Sequence, residues 1–135
     1  MLIVDASVVM KLLTREGGST IAIDRVSRAQ ERTAPDWIQA EIASALAKKV
    51  RYAGLPVESA KEAFAALPLI MPDLAPTAPL LGSAIELSVE LSHALYDCLY
   101  LALALQTGGK MLTADHKFVT VVSLSQYHGR VELLE

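Results

Sequence analysis

The sequence predicts an α/β layered sandwich built on a parallel central sheet. Three observations point to it. Short extended-type runs at residues 2–5, 33–35, 69–71 and 111–113 alternate with longer segments of helical periodicity, the pattern of parallel strands joined by crossover helices. Apolar residues make up 53% of the chain, which excludes intrinsic disorder. A length of 135 residues suits one core, with no Pro/Gly/Ser-rich linker to divide it, so residues 1–135 are expected to form one domain.

The elements follow in order. Leu2 to Asp5 reads as a short buried strand opening directly into a helix at about Ser7, where Ser7 is a candidate cap. Gly17, Gly18 and Ser19 break that helix, and 20–29 reads as a second one carrying Ile21, Ile23 and Val26. Residues 33–35 form a weak second strand. Asp36 follows as an N-cap with Gln39 at capping-box spacing, and the helix behind it runs to about Tyr52 and stops at Gly54. Pro56 starts a short helix through Leu67. Residues 69–71, bounded by Pro68 and Pro72, fit a third strand. Helices at 76–91 and 96–106 come next, the latter ended by Gly108 and Gly109. Residues 111–113 are a fourth strand, and 119–122 a fifth or the approach to one.

Bulk properties narrow the class further. A single cysteine, Cys98, has no internal disulfide partner, which favours a reducing compartment. The N-terminus lacks the pattern of a signal peptide, and the richest apolar run, residues 98–105, is far shorter than the roughly 20 residues of a membrane span. A cytoplasmic protein without a membrane segment is the expectation. The formal net charge of −3 gives no support for nucleic-acid binding from bulk charge. Acidic groups gathered at one metal site would reverse the local sign.

Acidic residues recur at informative places. Asp5 ends the first strand and Asp115 lies just beyond the fourth, so both project at the carboxyl edge of the sheet, where sites in such folds sit. Glu41 lies on the rim of its helix's apolar stripe. Asp97 lies in a first helical turn, one turn before Tyr100 and Leu101. Inward carboxylates are costly unless paired or metal-bound, and several converging carboxylates repel one another. Mg²⁺ or Mn²⁺, which prefer hard oxygen ligands, resolves that conflict and suits phosphodiester hydrolysis. Each residue also has a plain structural role open to it: Asp97 facing a helix dipole, Asp115 as a turn or cap residue, Glu41 as a rim charge.

The strings LIVDASVV (2–9), AEIASAL (40–46), YDCLYLALA (96–104) and LTADHKF (112–118) resemble the signature segments of PIN domains, in the family's order and at its approximate spacing. The length and lack of added domains resemble the VapC-type toxins of VapBC toxin–antitoxin pairs. The resemblance implies a three-layer α/β/α sandwich with four to five parallel strands in the order 3-2-1-4-5. It also implies a Mg²⁺- or Mn²⁺-dependent endoribonuclease that cuts RNA. Asp5, Glu41, Asp97 and Asp115 match the family's acidic metal-site positions. Ser7 and Thr113 match hydroxyl positions near that site. A VapB-type antitoxin partner and a homodimer are likewise implied.

Other features carry plainer readings. His93, His116 and His128 are not at ligand spacing with one another and read as surface or structural residues. Lys48, Lys49 and Arg51 suit a helix C-terminus. Cys98 reads as core. A receiver-type signalling domain would need an acidic pair near the first strand and an Asp at the end of the third; Asp73 lies after Pro72 instead. A dehalogenase-type phosphatase would need a second Asp where Ser7 stands. A catalytically idle PIN-like binding module is the remaining alternative, and the sequence leaves open whether DNA is also cut.

Overall fold

The computed structural model describes residues 1–135 as a four-stranded sheet between two helical layers. The elements are β1 (Leu2–Val4), α1 (Ala6–Leu13), α2 (Ser19–Ser27), β2 (Arg32–Thr33), α3 (Ile38–Ala53), α4 (Val57–Ala65), α5 (Leu67–Ile70), a 3₁₀ turn (Ala78–Leu80), α6 (Leu81–Leu91), α7 (Leu95–Thr107), β3 (Lys110–Thr113), α8 (His116–Ser123) and β4 (Val131–Leu133). The strand order is β2-β1-β3-β4, and every pairing is parallel. β1 is buried along its whole length, as an apolar central strand covered on both faces must be. Helix α1 packs on α2 and α3, α6 packs on α7, and α7 lies across β1 and β3. One buried apolar cluster runs through all these layers.

The fold class is the expected one, but two strands are elsewhere. Residues 69–71 do not form the third strand: 67–70 are the short helix α5, with a proline at its N-terminal end, where the ring's fixed φ favours a helix and the missing N–H costs nothing. Residues 73–75 take that strand's place beside β2. Thr33 Oγ1 donates to the Asp73 carbonyl at 2.9 Å, Ala75 N–H donates to Ala34 O at 2.9 Å, and a parallel bridge joins Pro35 to Ala75. Residues 119–122 are not the fifth strand either. The β-branched run Val119–Thr120–Val121–Val122 belongs to α8, which Asp115 caps and whose buried Phe118 and Val122 lie one turn apart. The outer strand is β4, against β3 in the register Met111↔Val131. The sheet therefore has four strands in the order β2-β1-β3-β4, and the third strand of the expected order 3-2-1-4-5 is reduced to the single bridge between Pro35 and Ala75.

Two helix starts also differ. Helix α1 begins at Ala6, and Ser7 does not cap it. Helix α3 begins at Ile38 without a side-chain cap. Asp36 is used differently: its Oδ1 accepts from the Thr77 N–H at 3.1 Å and the Thr77 hydroxyl at 2.6 Å, tying the chain before α3 to the segment before α6. Gln39 only donates to the Asp36 carbonyl, at 3.2 Å.

The join from α7 into β3 is set by close approach. Gly108 ends α7 in the left-handed conformation, φ 71°, which glycine adopts at little cost. At Gly109 an added Cβ would lie 2.3 Å from the Met1 carbonyl oxygen, the same oxygen that accepts from Lys110 N–H at 3.2 Å as β1 and β3 begin to pair. Gly109→Ala is therefore expected to destabilise the fold by about 1–3 kcal/mol, as overpacking generally does. An unchanged denaturation midpoint in urea would remove this account of the β1–β3 junction.

Candidate metal centre

The site is built outward from Asp5. Its backbone N–H donates to Leu112 O at 3.0 Å, continuing the β1–β3 pairing. Its carbonyl accepts from Val8 and Val9 N–H at 3.0 and 3.1 Å, starting α1. The side chain is left facing the carboxyl edge of the sheet and is only 5% exposed. Two hydroxyls hold it: Ser7 Oγ donates to Asp5 Oδ2 at 2.6 Å and Thr113 Oγ1 donates to the same oxygen at 2.8 Å. The direction of those protons is fixed from behind. Ser7 Oγ accepts the Ala114 N–H at 3.0 Å and Thr113 Oγ1 accepts the Asp115 N–H at 3.1 Å. Burial nevertheless raises the Asp5 pKa; the Ser7 and Thr113 hydrogen bonds lower it, and the negative charge of Asp97 raises it further.

Glu41 reaches the same region from α3. Its Oε1 accepts the hydroxyl of the buried Tyr100 on α7 at 2.6 Å. Burial pushes its carboxyl up to about 7, against the Tyr100 hydrogen bond, with Asp5 and Asp97 adding repulsion. Burial and the nearby Asp5 and Glu41 charges raise the Tyr100 pKa, so it stays a donor.

Asp97 and Asp115 complete a second grouping. Asp97 Oδ2 lies 2.6 Å from His93 Nε2, and one ligand atom each from His93, Asp97 and Asp115 fall within 4.8 Å of one another. Asp115 also caps α8, its Oδ1 accepting from Lys117 N–H at 2.9 Å and Phe118 N–H at 3.3 Å. The structural role open to it in sequence is thus real and coexists with its place in the group. Asp97 is the shared member, close to Asp5 and Glu41 on one side and to Asp115 and His93 on the other.

His93, which reads in sequence as a surface or structural residue for want of ligand spacing to the other histidines, is instead largely buried beside Asp97; its four-residue spacing to Asp97 is the signal for that. Its ring packs on Phe118 with centroids 4.6 Å apart. Ser92, the one non-glycine residue at positive φ (49°), turns the chain from α6 toward that position. His116 and Lys117 are exposed at the start of α8. Cys98 is core, its thiol pushed up to about 11 chiefly by burial, which leaves it unreactive.

No lysine or arginine pairs with Asp5, Glu41, Asp97 or Asp115. Carboxylates buried or half-buried with no lysine or arginine beside them, and only His93 on Asp97, form a largely hard-oxygen donor set, and that chemistry fits a divalent cation.

A three-layer fold with unpaired acids at the carboxyl edge of a parallel sheet defines a class of acidic-site α/β domains, and comparison with known proteins narrows it. Residues 2–123 match the family described as PIN domain. The chain is 32% identical over 124 residues to Ribonuclease VapC1 of Mycobacterium tuberculosis, in both strain CDC 1551 and strain H37Rv, covering 90% of this chain and 91% of that one. In three dimensions it is similar to the crystal structure of PAE2754 from Pyrobaculum aerophilum, with a TM-score of 0.72 at 18% identity over 96% of this chain and 81% of that chain. The chain belongs to the PIN-domain family.

The raised carboxyls have a consequence for stability. Glu41 has an ordinary value of 4.5 and about 7 in the fold, so between those values the native state holds a proton the unfolded chain has lost. Stability is then fully present below about pH 4.5 and falls as pH rises through 7. In chelator, the melting temperature of the wild type is expected to drop across this window, and that of Glu41→Gln to drop less. Parallel curves for the two would refute the assignment.

Proposed function

We propose that this chain is a divalent-metal-dependent endoribonuclease and the toxin component of a type II toxin–antitoxin pair. The single observation that carries the chemistry is the set of converging carboxylates without a lysine or arginine partner around a hydroxyl-clamped Asp5. Family membership and the likeness to a protein named as a ribonuclease support the substrate class. We read residues 1–135 as one domain, since one apolar cluster spans both helical layers.

Asp5, Glu41, Asp97 and Asp115 would hold Mg²⁺ or Mn²⁺, with Ser7 and Thr113 as auxiliary residues. When bound, such an ion polarises a phosphodiester and lowers the pKa of a water. The chain's own contribution is positioning. Ser7 and Thr113 fix the orientation of Asp5. His93 fixes that of Asp97 through their 2.6 Å contact. Glu41, whose carboxyl is raised by burial in the ion-free fold, would be brought back to its charged form by a bound cation and would serve as a ligand or orient the attacking water. As the water oxygen bonds to phosphorus and the ester P–O bond breaks, the water's proton would pass through solvent to the departing oxygen, which leaves as a hydroxyl. The Tyr100 hydroxyl steadies Glu41 throughout.

Exposed apolar surface supports two partners. On α6, Leu81, Ile85 and Val89 lie one turn apart and are 40%, 57% and 75% exposed. That stripe suits a two-fold dimer, the commonest oligomer. Between α3 and α4 runs an apolar groove of about 600 Å³ lined by Leu46, Val50, Val57, Ala60 and Phe64. It suits an apolar helix or extended segment of a VapB-type antitoxin, whose basic side chain, best an arginine, would neutralise the acidic site. No helix of the chain is long and apolar enough to cross a membrane; we propose that the protein acts in the cytoplasm.

Asp5→Asn removes charge at nearly constant shape. It is expected to abolish RNA cleavage with the fold intact, and excess chelator to do the same to the wild type. Millimolar Mn²⁺ should raise the wild-type melting temperature, by about 2.7 kcal/mol of stability at a hundredfold excess over Kd. Full cleavage by Asp5→Asn, or by wild type in chelator, sinks the mechanism. Separately, the product of the adjacent gene is expected to co-purify with the chain and silence cleavage; a neighbour that does neither leaves a stand-alone nuclease.

A further inference from the structure

Trp37 and Tyr96 stack face to face, ring centroids 5.3 Å apart and planes 8° apart. Both are open to solvent, at 37% and 51% exposure. Trp37 sits one turn before Glu41, and Tyr96 directly precedes Asp97, so the stack stands at the rim of the acidic site. The pair lines a groove of about 420 Å³ with Glu41, Ser44 and Lys48. Lys48 makes no ion pair, whereas its neighbour Lys49 is bound to Glu16 at 3.1 Å.

The stack is not what holds α3 in place, since Ile38, Ile42 and Leu46 bury that helix against the core. It is nonetheless firmly mounted. Trp37 N–H donates to Thr77 Oγ1 at 2.8 Å, and Thr77 is itself held by Asp36 through two hydrogen bonds to Oδ1. A rigid aromatic surface, an uncommitted ammonium and the Glu41 carboxylate therefore share one groove. Aromatic faces take unpaired bases whatever their identity, and a lysine takes the adjoining backbone phosphate. A base inside an A-form duplex has both faces covered by its neighbours and cannot join such a stack.

Resting on the nuclease reading above, we propose that Trp37 and Tyr96 form a base-stacking platform. It holds an unpaired nucleotide of single-stranded RNA next to the cleavage centre, with Lys48 on the neighbouring phosphate. The platform selects single-stranded segments and sets the distance from a stacked base to the bond that is cut.

The chain has one tryptophan, so Trp37 fluorescence reports on the platform directly. In an Asp5→Asn background, which prevents turnover, a short unstructured single-stranded RNA is titrated against the protein, with a duplex of the same length as control. Saturable quenching by the single strand alone is expected. Trp37→Ala and Tyr96→Ala should each weaken binding on the order of tenfold, from about 1–3 kcal/mol per stacked base, with Trp37→Phe recovering most of it. Lys48→Gln should reduce the salt dependence of binding. With Asp5 restored, the aromatic variants should raise KM more than they lower kcat.

Variants that melt like the parent and bind the single strand as tightly as it does overturn the platform while leaving RNA cleavage in place. Quenching by the adjacent gene product and not by RNA makes the pair a protein-docking surface and also overturns it. No RNA binding in the Asp5→Asn background, together with no cleavage by wild type, removes the nuclease reading and the platform with it.

Discussion

A carboxylate held out of water at the end of the central strand is the constraint around which this molecule is arranged. Asp5 is 5% exposed and lies near two other acids, and an isolated buried charge is among the most expensive groups a fold can hold. The chain mitigates that cost with the Ser7 and Thr113 hydroxyls, both aimed at Oδ2. Two hydrogen bonds do not neutralise a charge, and the direction of the Asp5 and Glu41 shifts shows that burial and repulsion still win. The fold tolerates a standing electrostatic tension at this edge, which a divalent cation would relieve.

The topology explains why these acids meet. Parallel pairing in the register Val4↔Leu112 brings the end of β3 beside the end of β1, so Thr113 and Asp115 arrive next to Asp5. Helix α7 lies over both strands, and its first turn sets Asp97 above the same edge. Helix α3 enters from the other side, its Glu41 held by Tyr100 of α7. That single 2.6 Å contact links two helices from distant parts of the sequence, so Tyr100 serves as both core and orienting group. The same convergence carries Trp37 and Tyr96 to one rim, because each precedes a site residue by a few positions.

The parts of this arrangement legible in sequence were those with strong local rules. Apolar β1 running into Asp5, the Gly54 and Gly108 stops, and the periodicity of α3 and α7 all stand where the pattern placed them. Where local rules conflicted with tertiary context, the context prevailed. The β-branched run at 119–122 looked extended, yet the Asp115 cap and the one-turn spacing of Phe118 and Val122 make it helical. Residues 69–71 looked like a strand between prolines, yet Pro68 initiates a helix. Strand β4 went unseen because it is only three residues long and carries Glu132, whose charge is balanced by Arg25 at 2.6 Å and Lys110 at 3.4 Å. His93 is harder to place for a different reason: its four-residue spacing to Asp97 is a signal, but the pair spans a break between two helices, where that spacing alone does not fix a shared face.

Asp36 shows how far a local rule can mislead and still point somewhere useful. Its spacing to Gln39 has the form of a capping box, and a cap would have made it a purely structural residue. In the fold its carboxylate turns away from α3 to hold Thr77, and Thr77 in turn holds the backbone of Trp37. The residue that would have begun the helix instead fixes the aromatic surface at the helix's entrance, one turn from Glu41. A polar contact between segments forty residues apart thus sets the geometry at the mouth of the groove. Rigidity there matters because a stacking surface that must first be ordered loses part of its binding free energy to that ordering. Short polar side chains thus serve at both places: Ser7 and Thr113 orient the Asp5 carboxylate, and Asp36 and Thr77 anchor the backbone at Trp37.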